Sequence, residues 1–176
     1  MSENALDRGI ADLCKSWTGF NSDTIVQCRA VLARLTASPR SESWLAELHE
    51  RKAPTTELYR DPEQGFILLA HVETKGLYRN PHNHGNGWVF YALQHGVVEM
   101  STYGQFKEQV NGEGLVSRGA YTMKAGDCSA FLPGDIHDTL CVSEYSLMFR
   151  LTSCDFSVEK RAGRLQQFKP VTRAHV

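Results

Sequence analysis

Residues 76–96 read GLYRNPHNHGNGWVFYALQHG, and residues 126–137 read GDCSAFLPGDIH. The first stretch places His82 and His84 two apart, just before a run of apolar and aromatic residues. Side chains two apart on a strand project to the same face, so a single strand is expected to offer both imidazoles to one metal ion. The second stretch is a Gly-Asp turn, a short buried strand (CSAFL) and a tight Pro-Gly-Asp turn. His137 follows that turn and opens the next strand. A turn that brings a third imidazole beside the first two completes a trigonal face on a metal. The His-x-His pair is weak alone in a chain with seven histidines. Gly76, Gly96 and the distant His137 give it weight.

Further short apolar or alternating runs flank these two stretches: FILLAHV (66–72), VVEMSTY (97–103), AYTM (120–123), TLCV (139–142) and SLMFRLT (146–152). With WVFYAL (88–93) and CSAFL (128–132) they make seven strand candidates, separated by Gly, Pro and Asn and by no helical pattern. Such spacing predicts an all-β antiparallel sandwich or barrel. Residues 104–119, GQFKEQVNGEGLVSRG, predict a hairpin excursion with its turn near Asn111 and Gly112. From Glu159 onward a charged and then weakly apolar segment predicts a last strand or an extended tail.

The first 50 or so residues follow a helical period instead. Residues 22–35, SDTIVQCRAVLARL, put Ile25, Cys28, Leu32 and Leu35 on one stripe, with Ser22 or Asp23 to cap the start and Pro39 to stop it. Residues 41–51 predict a shorter amphipathic helix with Trp44, Leu45 and Leu48 inward, ended by Pro54. The expected organisation is a helical extension over residues 1–54 packed on a barrel over residues 55–176, one structural domain in all.

Composition bounds the function. The chain has 176 residues, 41 % hydrophobic and 22 % charged, with a formal net charge of −1. No basic block supports nucleic-acid binding. No run approaches the roughly 18 apolar residues of a membrane span. The N-terminal MSENALDRG lacks the layout of a signal peptide, so the cytoplasm is the expected location. Five cysteines, an odd number without a CxxC pair, read as reduced and mostly structural thiols.

The two opening stretches resemble the two motifs of the cupin superfamily. The first motif is Gly, five residues, His-x-His, three or four residues, Glu, six residues, Gly. Every fixed position is matched except the Glu, where Val89 stands. In the second motif Gly126 and His137 keep the overall spacing, while Pro133-Gly134 depart from its Pro-x-Gly register. The resemblance covers roughly residues 60–152. It implies a double-stranded β-helix (jelly-roll) barrel and a metal held by His82, His84 and His137.

Val89 cannot ligate, so three neutral imidazoles would leave adjacent coordination positions open and the 2+ charge uncompensated. Such a centre favours anionic, chelating substrates and suits Fe(II), although zinc and nickel accept the same donors. A three-histidine cupin is similar to the thiol dioxygenases, the cysteine dioxygenase and 3-mercaptopropionate dioxygenase family. The resemblance implies oxidation of a small carboxylate-bearing thiol to its sulfinate by O₂. It also implies that Arg60, in the Tyr59-Arg60 pair, grips the substrate carboxylate. The family's Ser-x-His-x-Tyr run is missing: Ser146 aligns, but Met148 and Arg150 occupy the His and Tyr places. Arg150 is then either an inward anion-binding group or a solvent-facing strand residue.

Two alternatives stay open, another metal-cupin enzyme (a C–C-cleaving dioxygenase or a lyase) and a non-catalytic cupin that binds a small anion. Trp88 reads more readily as core than as pocket wall. Tyr91 and Glu99 could each hydrogen-bond a metal-bound group, and His71 and His95 read as structural or exposed. Asp138 and Asn83 should point away from the metal by strand alternation. The expected partners are a small molecule and O₂, with a homo-oligomer open.

Overall fold

A computed structural model describes residues 4–108 and 112–170 of the chain. Three helices come first: α1 (Ala5–Ser16), α2 (Ser22–Thr36) and α3 (Ser43–Arg51). Asn21, rather than Ser22 or Asp23, caps α2, its side chain accepting from the Thr24 backbone N–H. Lys52, at φ 48°, ends α3 in the left-handed region.

Nine strands follow: β1 (Thr56–Arg60), β2 (Ile67–Thr74), β3 (Tyr78–His82), β4 (Val89–His95), β5 (Val97–Glu108), β6 (Gly112–Lys124), β7 (Cys128–Phe131), β8 (Ile136–Cys141) and β9 (Tyr145–Thr152). Strands β1 and β3 are not among the seven apolar runs, because both are short and largely polar; of the two, only β3 was expected, as the strand carrying the His-x-His pair. The hairpin expected over residues 104–119 is formed by the ends of β5 and β6, paired as far as Glu108 and Gly112. Asn111, where its turn was expected, lies outside the described residues. The segment expected as a last strand or tail begins instead as a short helix, α4 (Phe156–Arg161), because Asp155 accepts from the Ser157 N–H and caps it.

The strands form two antiparallel sheets, in the orders β1-β2-β9-β4-β7 and β3-β8-β5-β6. After β2 the chain alternates between them except at the β5–β6 hairpin, where both strands belong to the four-stranded sheet; this is the winding of a double-stranded β-helix. Gly96 turns β4 into β5 at φ +90°. A Cβ there would stand 2.4 Å from the Tyr145 carbonyl oxygen, so only glycine fits this corner.

Alternation along β2, β4 and β9 divides the five-stranded sheet into two faces. Leu68, Ala70, Val72, Phe90, Ala92, Leu147, Phe149 and Leu151 pack outward against Leu13, Leu32, Leu35 and Leu45 of the helices in one core. Trp17 stacks between Phe66 (4.3 Å) and Trp88 (4.8 Å), so Trp88 belongs to this outer core and not to a barrel wall. Each large side chain buried here contributes about 1.5–3 kcal/mol. The inner face turns the other parity into the barrel, where Val89, Leu93, Val98, Met100, Met123, Phe131 and Met148 form a second cluster.

All five cysteines are free. Burial pushes the Cys28 thiol up to about 12 and the Cys128 thiol to about 11, so neither is a reactive thiolate. Among the described residues no helix is long and apolar enough to cross a membrane.

Candidate metal centre

The register of β3 against β8 places His82 directly opposite His137. His84 is not on the same strand. Strand β3 ends at His82, and His84 sits in the following turn. That turn is held from two sides. Within it the Gly85 N–H reaches the Asn83 side chain, and the Gly87 N–H reaches the His84 carbonyl. From outside it, the Asn86 N–H donates to Glu159 of α4, and the Gln166 N–H donates to the Asn83 side chain. Gly85 lies at φ +63°, and a Cβ there would come 2.3 Å from the Glu159 carboxylate. The turn that presents His84 is thus built against the C-terminal segment, and Gln167 adds a bridge to His82. Arg164 pairs with Glu159 and, with the Asn86 N–H, holds its carboxyl down at about 2.

The three imidazoles converge, with donor nitrogens all within 4.8 Å of one another. The His84 and His137 Nε2 atoms are 3.3 Å apart. Two nitrogens bound to one ion at about 2.0–2.1 Å stand roughly 3–3.5 Å apart. His82 Nδ1 lies 2.9 Å from the Asn80 carbonyl. A carbonyl only accepts, so this bond puts the proton on Nδ1 and leaves the Nε2 lone pair free. Burial pushes all three histidines below their ordinary range: His84 to about 3, His137 well below 6.5, and His82 downward in spite of the Asn80 carbonyl. Neutral imidazole is the ligating form. The buried Nδ1 atoms of His84 and His137 have no partner among the described residues. The set therefore fits a divalent ion held by three imidazoles.

No carboxylate joins them among the described residues. Val89 is fully buried on the inner face. Asp138 faces the other way, accepting from the Tyr78 hydroxyl (2.8 Å), the Tyr103 hydroxyl (2.6 Å) and the Ser101 N–H (3.1 Å). Asn83 is likewise committed to its own turn. Aromatic rings wall the centre: Phe131 stacks on His137 at 3.9 Å and Phe156 on His84 at 4.9 Å. Tyr91 brings its hydroxyl 3.4 Å from His84 Nε2. Burial pushes that phenol up, so it keeps its proton.

A cavity of about 490 Å³ opens beside the centre, within the range of small-molecule sites. His82, His84 and Tyr91 line one side of it, and Phe156, Lys160 and Leu165 roof it. Arg150 lines it from β9, with its Nε buried and without a partner among the described residues. Its side chain is thus turned to the cavity and not to solvent.

Arg60 is elsewhere. It ends the edge strand β1 with its guanidinium on Glu57 (2.8 Å) and Asp155 (3.0 Å), half-exposed and outside the cavity. The Tyr59-Arg60 pair therefore does not bring a carboxylate clamp to this site. The physical reason is a pair of carboxylates that occupy the guanidinium on the outer rim. His95 is also remote, bonded to Arg40. Glu99 does not line the cavity.

Among the lining residues that the sequence reading did not assign to the site are Glu73, Arg79 and His71, the last read as structural or exposed. Their signal is parity. In FILLAHVET the polar His71 and Glu73 share the inward phase of Leu69, breaking an otherwise apolar strand on one face only.

The strand order, the two facing sheets and the site at their mouth decide the architecture. The chain has a cupin fold. No family model matches the sequence, and no curated protein matches it. Solved structures do resemble it. The Schizosaccharomyces pombe Cnp3 cupin domain is 12 % identical over 62 % of this chain and 69 % of its own, with a TM-score of 0.46. KdgF from Halomonas sp. is 14 % identical over 56 % of this chain and 74 % of its own, at 0.45. The capsular polysaccharide assembling protein CapF from Staphylococcus aureus is 13 % identical over 66 % of this chain, at 0.49. This chain spans about a third of the CapF chain, 32 %.

Proposed function

We propose that this cupin is an Fe(II)-dependent dioxygenase that oxidises a small carboxylate-bearing thiol to its sulfinate, RSH + O₂ → RSO₂H. The observation that carries the reading is the convergence of His82, His84 and His137 with no carboxylate among the described residues, beside a cavity lined by the Arg150 guanidinium, which bonds Tyr91 and keeps its Nε without a partner among those residues. Iron held by the three imidazoles would supply the O₂ chemistry and lower the thiol pKa. The chain's own residues place the substrate. Arg150 takes over the carboxylate-binding role that the resemblance assigned to Arg60, since guanidinium pairs bidentately with carboxylate. Tyr91, protonated and 3.4 Å from His84 Nε2, offers a hydroxyl donor at the edge of the centre. Phe131 and Phe156 keep that edge dry, which strengthens each polar contact inside it.

Met148 and Arg150 in place of the His and Tyr of the thiol dioxygenases favour a second reading, a C–C-cleaving dioxygenase or lyase at the same centre. The deciding experiment is O₂ uptake by Fe(II)-loaded protein offered cysteine, 3-mercaptopropionate, cysteamine, a β-diketone or a catechol. Iron-free protein and His84→Ala are the controls. Uptake with the carboxylate-bearing thiols, absent in both controls and reduced about 10- to 100-fold by Arg150→Met, supports the thiol reading. Uptake with the carbon acids alone moves the protein to the second class. Turnover without O₂ identifies a lyase, and ligand binding unaffected by His137→Ala identifies a simple anion binder.

A further inference from the structure

The wall of the cavity formed by β2 carries two buried acceptors that nothing among the described residues satisfies. His71 is 7 % exposed and Glu73 is 1 % exposed. Both line the cavity, and their His71 Nε2 and Glu73 Oε2 atoms have no hydrogen-bond partner. Their state is fixed from behind. His71 Nδ1 lies 3.2 Å from the Pro54 carbonyl and 3.0 Å from the Thr55 hydroxyl. The carbonyl can only accept, so Nδ1 carries the proton and Nε2 presents a bare lone pair. The other Glu73 oxygen is bonded to Arg79, which leaves Oε2 as the unpartnered atom of this lining residue. A buried acceptor left unmade is destabilising. Two adjacent ones on a cavity wall ask for donors from a ligand.

We infer that His71 and Glu73 form a subsite that reads an ammonium group, so that the ligand is a small zwitterionic amino acid whose carboxylate meets Arg150. The chemistry selects ammonium over hydroxyl. An ammonium has three donors and can satisfy both acceptors, whereas a hydroxyl has one. Glu73 is also the one carboxylate among the described lining residues, against Arg79, Arg150 and Lys160. It supplies the negative charge that a cationic group needs in an otherwise positive cavity. In the thiol reading, on which the full ligand rests, the substrate is an amino acid with a thiol that faces the three imidazoles.

The test is ligand affinity, measured by calorimetry without O₂ on the Fe(II)-loaded protein. Two matched pairs differ only in the ammonium group: cysteine against 3-mercaptopropionate, and serine against 3-hydroxypropionate. The expected result is at least about tenfold tighter binding of cysteine, because a site built for a donor rejects the analogue that lacks it. Glu73→Gln and His71→Leu should each bring the ratio close to one, mainly by weakening cysteine. 3-Mercaptopropionate should change by less than about threefold, since it does not use the wall. Glu73→Gln keeps the side-chain shape, so it carries the test if His71→Leu folds poorly. Equal affinity within the thiol pair, or variants that weaken both members alike, would overturn the subsite while leaving a thiol centre in place. If neither thiol binds but serine outbinds 3-hydroxypropionate, and Glu73→Gln removes that preference, the subsite stands and the thiol reading falls. Failure of all four to bind overturns both.

Discussion

The two faces of the five-stranded sheet come from the same strands and solve opposite problems. On the outer face, Leu68, Ala70, Val72, Phe90, Leu147, Phe149 and Leu151 meet helices α1–α3 in a wholly apolar core. On the inner face the same strands carry His71, Glu73, Tyr91, Ser146, Met148 and Arg150. Four of those six hold a buried polar atom without a partner among the described residues: His71 Nε2, Glu73 Oε2, Ser146 Oγ and Arg150 Nε. Period-two alternation lets one face stabilise the fold while the other stays polar. Native proteins leave few such atoms, and sites built for a ligand are where they collect. The comparison assigns stability to one parity and chemistry to the other, and it can be broken by experiment.

The largest effect should fall on the inner side of the barrel. His137→Ala is expected to abolish stoichiometric metal uptake, measured by metal analysis after anaerobic loading. The melting temperature of the metal-free protein should hold within a few degrees, since the variant also removes a buried imidazole nitrogen that has no partner. Unchanged metal content would show that the three imidazoles are a structural cluster. Phe149→Ala tests the other parity. Phe149 is fully buried in the helix-facing core, and truncation should cost about 3–5 kcal/mol by denaturant unfolding. The folded fraction should still take up one metal ion. Loss of metal binding in a folded Phe149→Ala protein would mean that the two faces are coupled, not separate.

A smaller effect sharpens the same contrast through pH. Burial holds His71 at about 3, with Arg150 and Arg79 adding to it, and holds His84 at about 3 with help from His82 and Arg150. The unfolded chain takes up protons on these imidazoles near 6.5, whereas the folded chain resists until about 3. Stability of the metal-free protein is therefore full above 6.5 and is lost as pH falls from there towards 3. Two such groups give a slope of about 2.7 kcal/mol per pH unit near pH 5. Phe149→Ala should displace the whole curve without changing its slope, and His71→Leu should flatten it. A flat profile from 6.5 to 4 in the parent protein would contradict buried, neutral inner-face histidines.

Much of this division is legible in the sequence, and what is not has physical causes. The three metal-centre histidines stand out because glycine turns and strand lengths fix where they arrive. The outer core stands out as apolar parity. Yet His84 lies beyond the end of its strand, because a turn at φ +63° through Gly85 aims it as well as a strand would. Spacing does not distinguish the two. Helix α4 was hidden because its charged residues read as solvated tail. Its purpose is tertiary, to hold Glu159 against the His84 turn 73 positions away. His71 and Glu73 were absorbed into an apolar run because hydrophobic content, and not parity, drew the eye to β2.

Arg60, set against Arg150, gives the smallest expected effect and the narrowest test. A Tyr-Arg pair next to a barrel strand carries a resemblance but no direction. Strand β1 is the sheet edge, and its pairing with β2 shifts between Glu57 and Tyr59, just before the arginine. Such irregularities re-aim the residues that follow. Asp155, 95 residues downstream and the cap of α4, then shares Arg60 with Glu57 on the rim. Half-exposed pairs of this kind contribute at most about 1 kcal/mol. Arg60→Ala is therefore expected to shift stability by less than that and to leave carboxylate-ligand affinity within about twofold, since nothing it touches faces the cavity. Calorimetric titration of the variant with 3-mercaptopropionate reads the difference directly. A tenfold loss there, matched by an intact response in Arg150→Met, would return the anion-binding role to the outer rim and reverse the division between the two faces.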